Sequence, residues 1–237
     1  MLGRVALLTF SLMMAAPGAP LDGVQEPRQA TRRSQPAHRG DGPLKLARQV
    51  PLVDWTELAR DRSLYLGQRV RVQVQFHSWV VSWNPYLTRF GPGEFACLAA
   101  WSDEQFPWIR EQYDAPAVRL FVRRGSRPEA ELEQARFYGR YELVLDVREL
   151  LRERPWCEVV AVRPLERSLG EGTVIHAARA WTLIGNGTPS LAALELRRAL
   201  AGNPPAPARQ ELQRLLDLCR AEDRDRDERP AAQRNSR

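Results

Sequence analysis

Aromatic side chains crowd one stretch of the chain, between residues 77 and 108. His77, Trp79, Trp83, Tyr86 and Phe90 lie in or beside the first long loop, and Trp101, Phe106 and Trp108 follow the second predicted strand. Flat rings can stack on bases or sugars, and a nearby guanidinium can neutralise a phosphate or hydrogen-bond a hydroxyl group. The stretch therefore offers candidate ligand-binding residues, above all Trp79, Trp83, Tyr86 and Trp101.

Residue types used in catalysis and metal binding are sparse. His38, His77 and His176 have no metal-ligand spacing. The sequence has no nucleophile elbow, phosphate loop or dinucleotide glycine fingerprint. Gly91-Pro92-Gly93 predicts a turn, because proline removes the N–H donor that a phosphate cradle needs. We expect no catalytic residue, no metal and no cofactor, with an enzyme of unrecognised site as the alternative.

The chain has three cysteines, Cys97, Cys157 and Cys219. In an oxidising compartment an odd number leaves at least one thiol free. A Cys97–Cys157 disulfide is one alternative, and three buried free thiols are the interpretation that we favour. Cys97 lies inside an apolar strand pattern with no evident base, which indicates a buried thiol rather than a nucleophile.

The N-terminal residues have the layout of an export signal. Arg4 precedes an apolar run over residues 5–16, and small residues and prolines follow to Pro20. This pattern predicts a signal peptide over residues 1–20, cut near Ala16, Gly18 or Ala19. An uncleaved anchor and a misassigned start are the alternatives. We expect an exported bacterial protein, periplasmic or secreted, with no stable membrane span after cleavage.

Charge alone does not identify a partner. The chain has 35 Lys+Arg against 29 Asp+Glu, and its only lysine is Lys45. An arginine bias of this kind resembles a GC-rich coding sequence, so it weakens any inference from net charge to nucleic acid. Residues 21–50 are rich in Pro, Gly, Gln and Arg without apolar periodicity, which predicts a disordered linker.

The elements that must position the candidate residues follow from periodicity. Asp54 is a potential N-cap for a short helix, and residues 65–76 alternate between apolar and polar positions, as in a half-buried strand. Further predicted strands cover residues 95–101, 117–123, 138–147 and 156–162, with a helix over 128–135. Helices are predicted over 173–184, 190–201 and 206–220, and residues 221–237 as a disordered charged tail.

Three segments carry a resemblance to a known family. They are Tyr65-Leu66-Gly67-Gln68-Arg69-Val70-Arg71-Val72, Phe137-Tyr138-Gly139-Arg140-Tyr141-Glu142-Leu143 and Trp156-Cys157-Glu158-Val159-Val160. With five strands and a helix after the third, the chain resembles oligonucleotide/oligosaccharide-binding (OB) domains, most closely the tRNA-anticodon type found in exported bacterial proteins. The resemblance implies a mainly β fold: a five-stranded OB-type Greek-key barrel over residues 51–167 with an α-helical appendage over 170–220. Another small antiparallel barrel or an α+β sheet is the alternative.

The appendage resembles a degenerate tetratricopeptide unit through Ala180, Ala192, Ala199 and Pro204, although a generic helical hairpin accounts for the same pattern. In OB domains, the loop after strand one and the face of strands two and three bind the ligand. The resemblance therefore implies one binding surface with seven candidate ligand-binding residues. They are Trp79, Trp83, Tyr86, Arg89, Trp101, Arg119 and Arg123. Alternatively, the aromatic residues close the ends of a small barrel.

Three functional hypotheses follow. The first is an exported, non-enzymatic binding or assembly protein whose barrel binds a protein, glycan or polyanion. The second is a single-stranded nucleic-acid-binding OB protein, which export would disfavour. The third is an enzyme with an unrecognised site.

Overall fold

The computed structural model describes residues 49–84, 86, 88–152 and 154–234, with side chains as far as residue 225. The predicted signal peptide, His38 and all but the last two residues of the predicted linker lie outside these residues. Five strands form a closed barrel in the order β1-β2-β3-β5-β4. Their bounds are β1 Arg69–Val80, β2 Phe95–Ser102, β3 Val118–Arg123, β4 Arg140–Leu151 and β5 Arg154–Pro164.

Seven helices accompany these strands within the described residues. Four are short: α1 Trp55–Arg60, α2 Arg62–Tyr65, α3 Arg110–Asp114 and α4 Arg127–Glu133. Three longer helices follow the barrel: α5 Glu171–Gly185, α6 Pro189–Ala201 and α7 Ala206–Arg234. None of the described helices is both long and apolar enough to cross a membrane.

Strand alternation builds the barrel core. The apolar positions of β1 point inward, where Val70, Val72 and Val74 are almost fully buried, as the sequence pattern predicts. Inward residues of the other strands join them in one core with Leu58 of α1. The barrel closes where β1 pairs antiparallel with β4, and β3 pairs parallel with β5. Closure leaves no unpaired sheet edge in the barrel.

Several elements differ in extent from the predicted ones. Strand β4 covers Arg140–Leu151 rather than residues 138–147, and α3 was not predicted. Strand β1 begins at Arg69 rather than Tyr65, because Gly67 adopts a left-handed conformation (φ 76°) and turns the chain out of α2. Asp54 occupies the N-cap position of α1, but its side chain makes no capping hydrogen bond. His77, predicted at the end of the first strand, lies inside β1, which continues to Val80.

The C-terminal helices pack on the barrel through a second apolar core. Trp101, Trp108 and Tyr138 from the barrel side are buried with side chains of α5, α6 and α7. The small residues Ala180 and Ala192 have no exposed surface, so α5 and α6 approach closely. Helix accounts for 41% of the structure and strand for 29%, so the prediction of a mainly β chain was wrong in proportion.

Helix α7 extends into the segment predicted as a disordered charged tail, residues 221–237. The helix continues through this segment to Arg234. The turns before this segment carry oppositely charged pairs three residues apart, Arg214–Glu211 and Arg220–Asp217. Within the segment, Asp223 accepts a hydrogen bond from the Ser190 hydroxyl of α6 at 2.8 Å. The mixed Asp and Arg sequence that suggested disorder is therefore compatible with a charged helical surface.

Candidate functional site

The loop between β1 and β2 covers part of the outer barrel surface. Phe90 of this loop is buried and stacks on Phe121 of β3, with ring centroids 4.3 Å apart and planes 3° apart. Phe95 of β2 meets Phe90 edge-on at 4.9 Å. Aromatic residues near the loop thus cover outward positions of β2 and β3, the region expected to bind a ligand.

Polar contacts also connect residues of the loop with one another and with β4. The Trp83 indole N–H donates to the Phe90 carbonyl oxygen at 2.8 Å. The Glu149 carboxylate of β4 accepts hydrogen bonds from the Thr88 hydroxyl and from the Arg89 backbone N–H, the latter at 3.0 Å. The Arg89 guanidinium lies 3.7 Å from the same carboxylate, so its charge already has a partner.

The seven predicted ligand-binding residues do not form one surface. Trp79 and Trp83 line a shallow cavity of about 280 Å³ together with Cys97. Tyr86 is 94% exposed on the loop. Two of the remaining four, Arg89 and Arg123, are held in ion pairs.

Trp101 occupies a structural position rather than a binding surface. Its side chain has no exposed area, its indole N–H donates to the Gln112 carbonyl oxygen at 3.0 Å, and its ring meets His77 edge-on. Trp101 belongs to the second core, between the barrel and the C-terminal helices, and not to the barrel interior. Trp101 as placed offers no surface to a ligand.

A larger groove lies between α1 and the outer surface of β3 and β5. Its volume is about 450 Å³, and we call it the Arg119–Arg154 groove. The lining residues are Trp55, Thr56, Ala59, Ala117, Arg119, Arg154, Pro155 and Trp156. The groove therefore combines two indoles with two guanidinium groups, and Arg119 is the one predicted site residue in it.

The strand pattern explains why these side chains meet. Val118 and Leu120 point into the barrel, so Arg119 between them points outward. On β5, Cys157 points inward, and Arg154 and Trp156 belong to the outward positions. Parallel pairing of β3 with β5 places these outward residues on adjacent strands.

The two arginines of the groove differ from nearby Arg123 in their ion-pair partners. Arg123, two residues beyond Phe121 on β3, pairs with Glu158 at 3.3 Å and lies over the Phe95 ring. By contrast, Arg119 and Arg154 are exposed and make neither an ion pair nor a side-chain hydrogen bond with any described residue. Two guanidinium groups are therefore available to an anion at this surface.

Sequence reasoning missed Trp55, Arg154 and Trp156 as site residues. Trp55 was seen only as the start of a helix, and Trp156 only as part of the last strand. Alternation places Arg154 and Trp156 on one face of β5, a signal that was present in the sequence. Their approach to Arg119 depends on the parallel β3–β5 pairing, which alternation does not reveal.

The cysteines are poor nucleophiles in this environment. Cys97, Cys157 and Cys219 are buried free thiols. Burial raises the pKa of Cys97 and of Cys157 to about 12, so both remain protonated at neutral pH. The structure thus has free thiols rather than the alternative Cys97–Cys157 disulfide.

The two described histidines have structural partners. The His77 ring contacts the Ser78 hydroxyl at 2.6 Å, and burial lowers the pKa of this histidine. His176 of α5 lies 2.7 Å from Glu195 of α6, a carboxylate partner that sequence reasoning did not place. Among the described side chains, no group of three His, Cys, Asp or Glu could hold a metal ion.

Compared with protein-family models, with curated proteins and with solved structures, the chain matches none.

Proposed function

We propose that this chain is a non-enzymatic binding protein whose barrel holds an anionic ligand in the Arg119–Arg154 groove. The observation that carries the proposal is the pair of exposed guanidinium groups that lack a carboxylate among the described residues. Guanidinium groups form strong hydrogen bonds with carboxylate, sulfate and phosphate groups, and two neighbouring ones can contact either one such group or two along a chain. Of protein, glycan and polyanion ligands, a polyanion fits this surface best.

The barrel is of OB type in this proposal. Support comes from the strand order β1-β2-β3-β5-β4, the parallel β3–β5 pair and helix α4 between β3 and β4. OB barrels bind chains of bases or sugars at their outer surface and loops rather than inside the barrel, which is filled by side chains. The tetratricopeptide resemblance of α5 and α6 remains a prediction.

Binding of a heparin tetrasaccharide at low salt tests the proposal. Arg119→Gln and Arg154→Gln should each weaken binding by about tenfold, because each removes a charged donor from the groove. Arg197→Gln on α6 removes the same charge from another exposed position and should leave the affinity nearly unchanged. Absence of wild-type binding at low salt, or equal effects of all three substitutions, would refute the proposal.

Single-stranded nucleic acid is the second candidate, favoured by one observation. Trp156 is half-buried in the groove that Arg119 and Arg154 also line, and bases stack on such rings in single-strand-binding proteins. Binding to oligothymidylate should then weaken steeply between 50 and 200 mM salt. A flat salt response or no binding at low salt excludes this candidate.

We also propose that the protein acts outside the cytoplasm, on the basis of the apolar leader and its small-residue exit. Cell fractionation combined with N-terminal sequencing tests this directly. A mature protein beginning near residue 20 in the periplasm or medium is expected, and an intact Met1 form in the cytosol would contradict it.

A further inference from the structure

Three aromatic rings on the outer barrel surface form a nearly parallel column. Phe90 stacks on Phe121 at 4.3 Å, and Phe121 stacks on Trp156 at 5.0 Å with planes 15° apart. Parallel rings at these separations attract each other beyond the effect of burial alone. The column runs from the β1–β2 loop, across β3, to β5.

The two ends of the column differ. At the loop end, Phe90 is 1% exposed and is covered by Phe95. At the other end, Trp156 is half-buried, and Phe121 is its one described ring contact. Because Phe121 covers one face of the indole, the part of Trp156 that lines the groove belongs to its remaining surface. The column is therefore closed at Phe90 and open at Trp156.

We infer that the ligand of the Arg119–Arg154 groove carries an aromatic ring beside its anionic group, and that this ring stacks on Trp156. The inference rests on the proposed function, since it concerns the same groove. Arg154 is two residues before Trp156 on β5, and Arg119 is two residues before Phe121 on β3. The proposed contacts of the ligand with the indole ring and with the guanidinium groups thus lie on the same outer face of the barrel.

The size of the groove narrows the class of ligand. A volume of about 450 Å³ holds a small molecule or one unit of a chain. An aromatic acid or a nucleotide, free or as one unit of a polyanion, has the required combination of one flat ring system and one anionic group. Both sources share the same recognition chemistry, and matched probes distinguish them.

Calorimetric titration of the full chain with matched anions tests the inference. Naphthalene-1-sulfonate and butane-1-sulfonate carry the same charge, but only the first has an aromatic ring. We expect the aromatic sulfonate to bind about 5- to 100-fold more tightly, the range of a single ring stack. Adenosine 5′-monophosphate and ribose 5-phosphate form a second pair, in which only the first carries an aromatic base. A preference for the ring-bearing member of only one pair shows whether the groove selects an aromatic acid or a nucleotide.

Substitutions at Trp156 locate the ring contact. Trp156→Leu should remove the preference for the aromatic sulfonate and leave butane-1-sulfonate binding unchanged, whereas Trp156→Phe should retain most of the preference. If Trp156→Leu does not fold, the affinities of the two sulfonates for the wild type and for Trp156→Phe still test whether a ligand ring stacks at this position. Equal affinities for both sulfonates, lost together in Arg119→Gln, would overturn the ring inference and leave the proposed function intact. No binding of any anion at low salt would overturn both.

Discussion

Aromatic side chains in this chain differ sharply in burial, so their substitution should differ in its effect on the unfolding free energy. Trp101→Ala should destabilise the protein by about 3–5 kcal/mol, since the residue is fully buried between barrel and helices. Tyr86→Ala should change stability by less than about 0.5 kcal/mol, because Tyr86 is 94% exposed. Urea unfolding measures both. A small effect of Trp101→Ala would contradict the packing of the second core.

Buried charge predicts a pH dependence at Glu142. Burial alone would raise the pKa of this carboxyl, but Arg163 at 2.8 Å and Arg71 at 3.2 Å hold the pKa below its ordinary value. A lowered native pKa stabilises the folded state above the unfolded pKa of about 4.3, and this contribution is lost as pH falls through the native pKa.

Urea unfolding at a series of pH values between 7 and 3 checks this expectation. Glu142→Gln should reduce the fall in unfolding free energy on acidification below about pH 4.5. Glu133→Gln, at an exposed position of α4, is the control and should leave the pH dependence unchanged. Identical pH profiles for wild type and Glu142→Gln would contradict the role of the two arginines.

Among the elements, the β1–β2 loop depends on one aromatic anchor. Phe90→Ala should free the loop, because the stack on Phe121 and the packing against Phe95 are lost. Amide hydrogen exchange of Phe95, whose N–H donates to the Gly91 carbonyl oxygen at 2.9 Å, should accelerate by about tenfold or more. Tyr86→Ala in the same loop is the matched control. Unchanged exchange would mean that the polar contacts to Glu149 hold the loop.

Most elements of the barrel could be predicted from local pattern. The alternation of Val70, Val72 and Val74 predicts a half-buried strand, and the structure confirms it. Local pattern could not indicate that Phe90 would fold back on Phe121, because this contact depends on a long irregular loop. The groove was missed for the same kind of reason: Arg119 and Trp156 meet through parallel pairing of strands distant in sequence.

Helix α7 shows a second limit of sequence-based prediction, because it includes residues that composition predicted to be disordered. Alternating Asp and Arg after Ala221 suggested disorder, since no apolar face continues there. Asp223 of this segment accepts a hydrogen bond from the Ser190 hydroxyl of α6, a tertiary contact that composition does not reveal. Composition alone is therefore a poor guide to whether a charged segment forms a solvated helix or is disordered.

At the scale of the whole molecule, barrel and helices should unfold together. The second core joins Trp101 of β2 to Leu212 of α7. Leu212→Ala should lower the unfolding free energy by about 2–5 kcal/mol. In urea unfolding, far-UV circular dichroism and tryptophan fluorescence should then report one and the same lowered midpoint. Leu191→Ala, at a 56% exposed position of α6, is the control. Two separate transitions, with only the helical one displaced, would show that the helices are an independent unit.

The site of ligand contact is tested most directly by following the indole N–H signals in a nitrogen–proton correlation spectrum. The seven tryptophans give separate probes across the molecule. During titration with a heparin tetrasaccharide, Trp156 and Trp55 should shift, because both line the Arg119–Arg154 groove. Saturating shifts confined to Trp79 and Trp83, which line the smaller cavity, would contradict the assignment of the groove as the binding site.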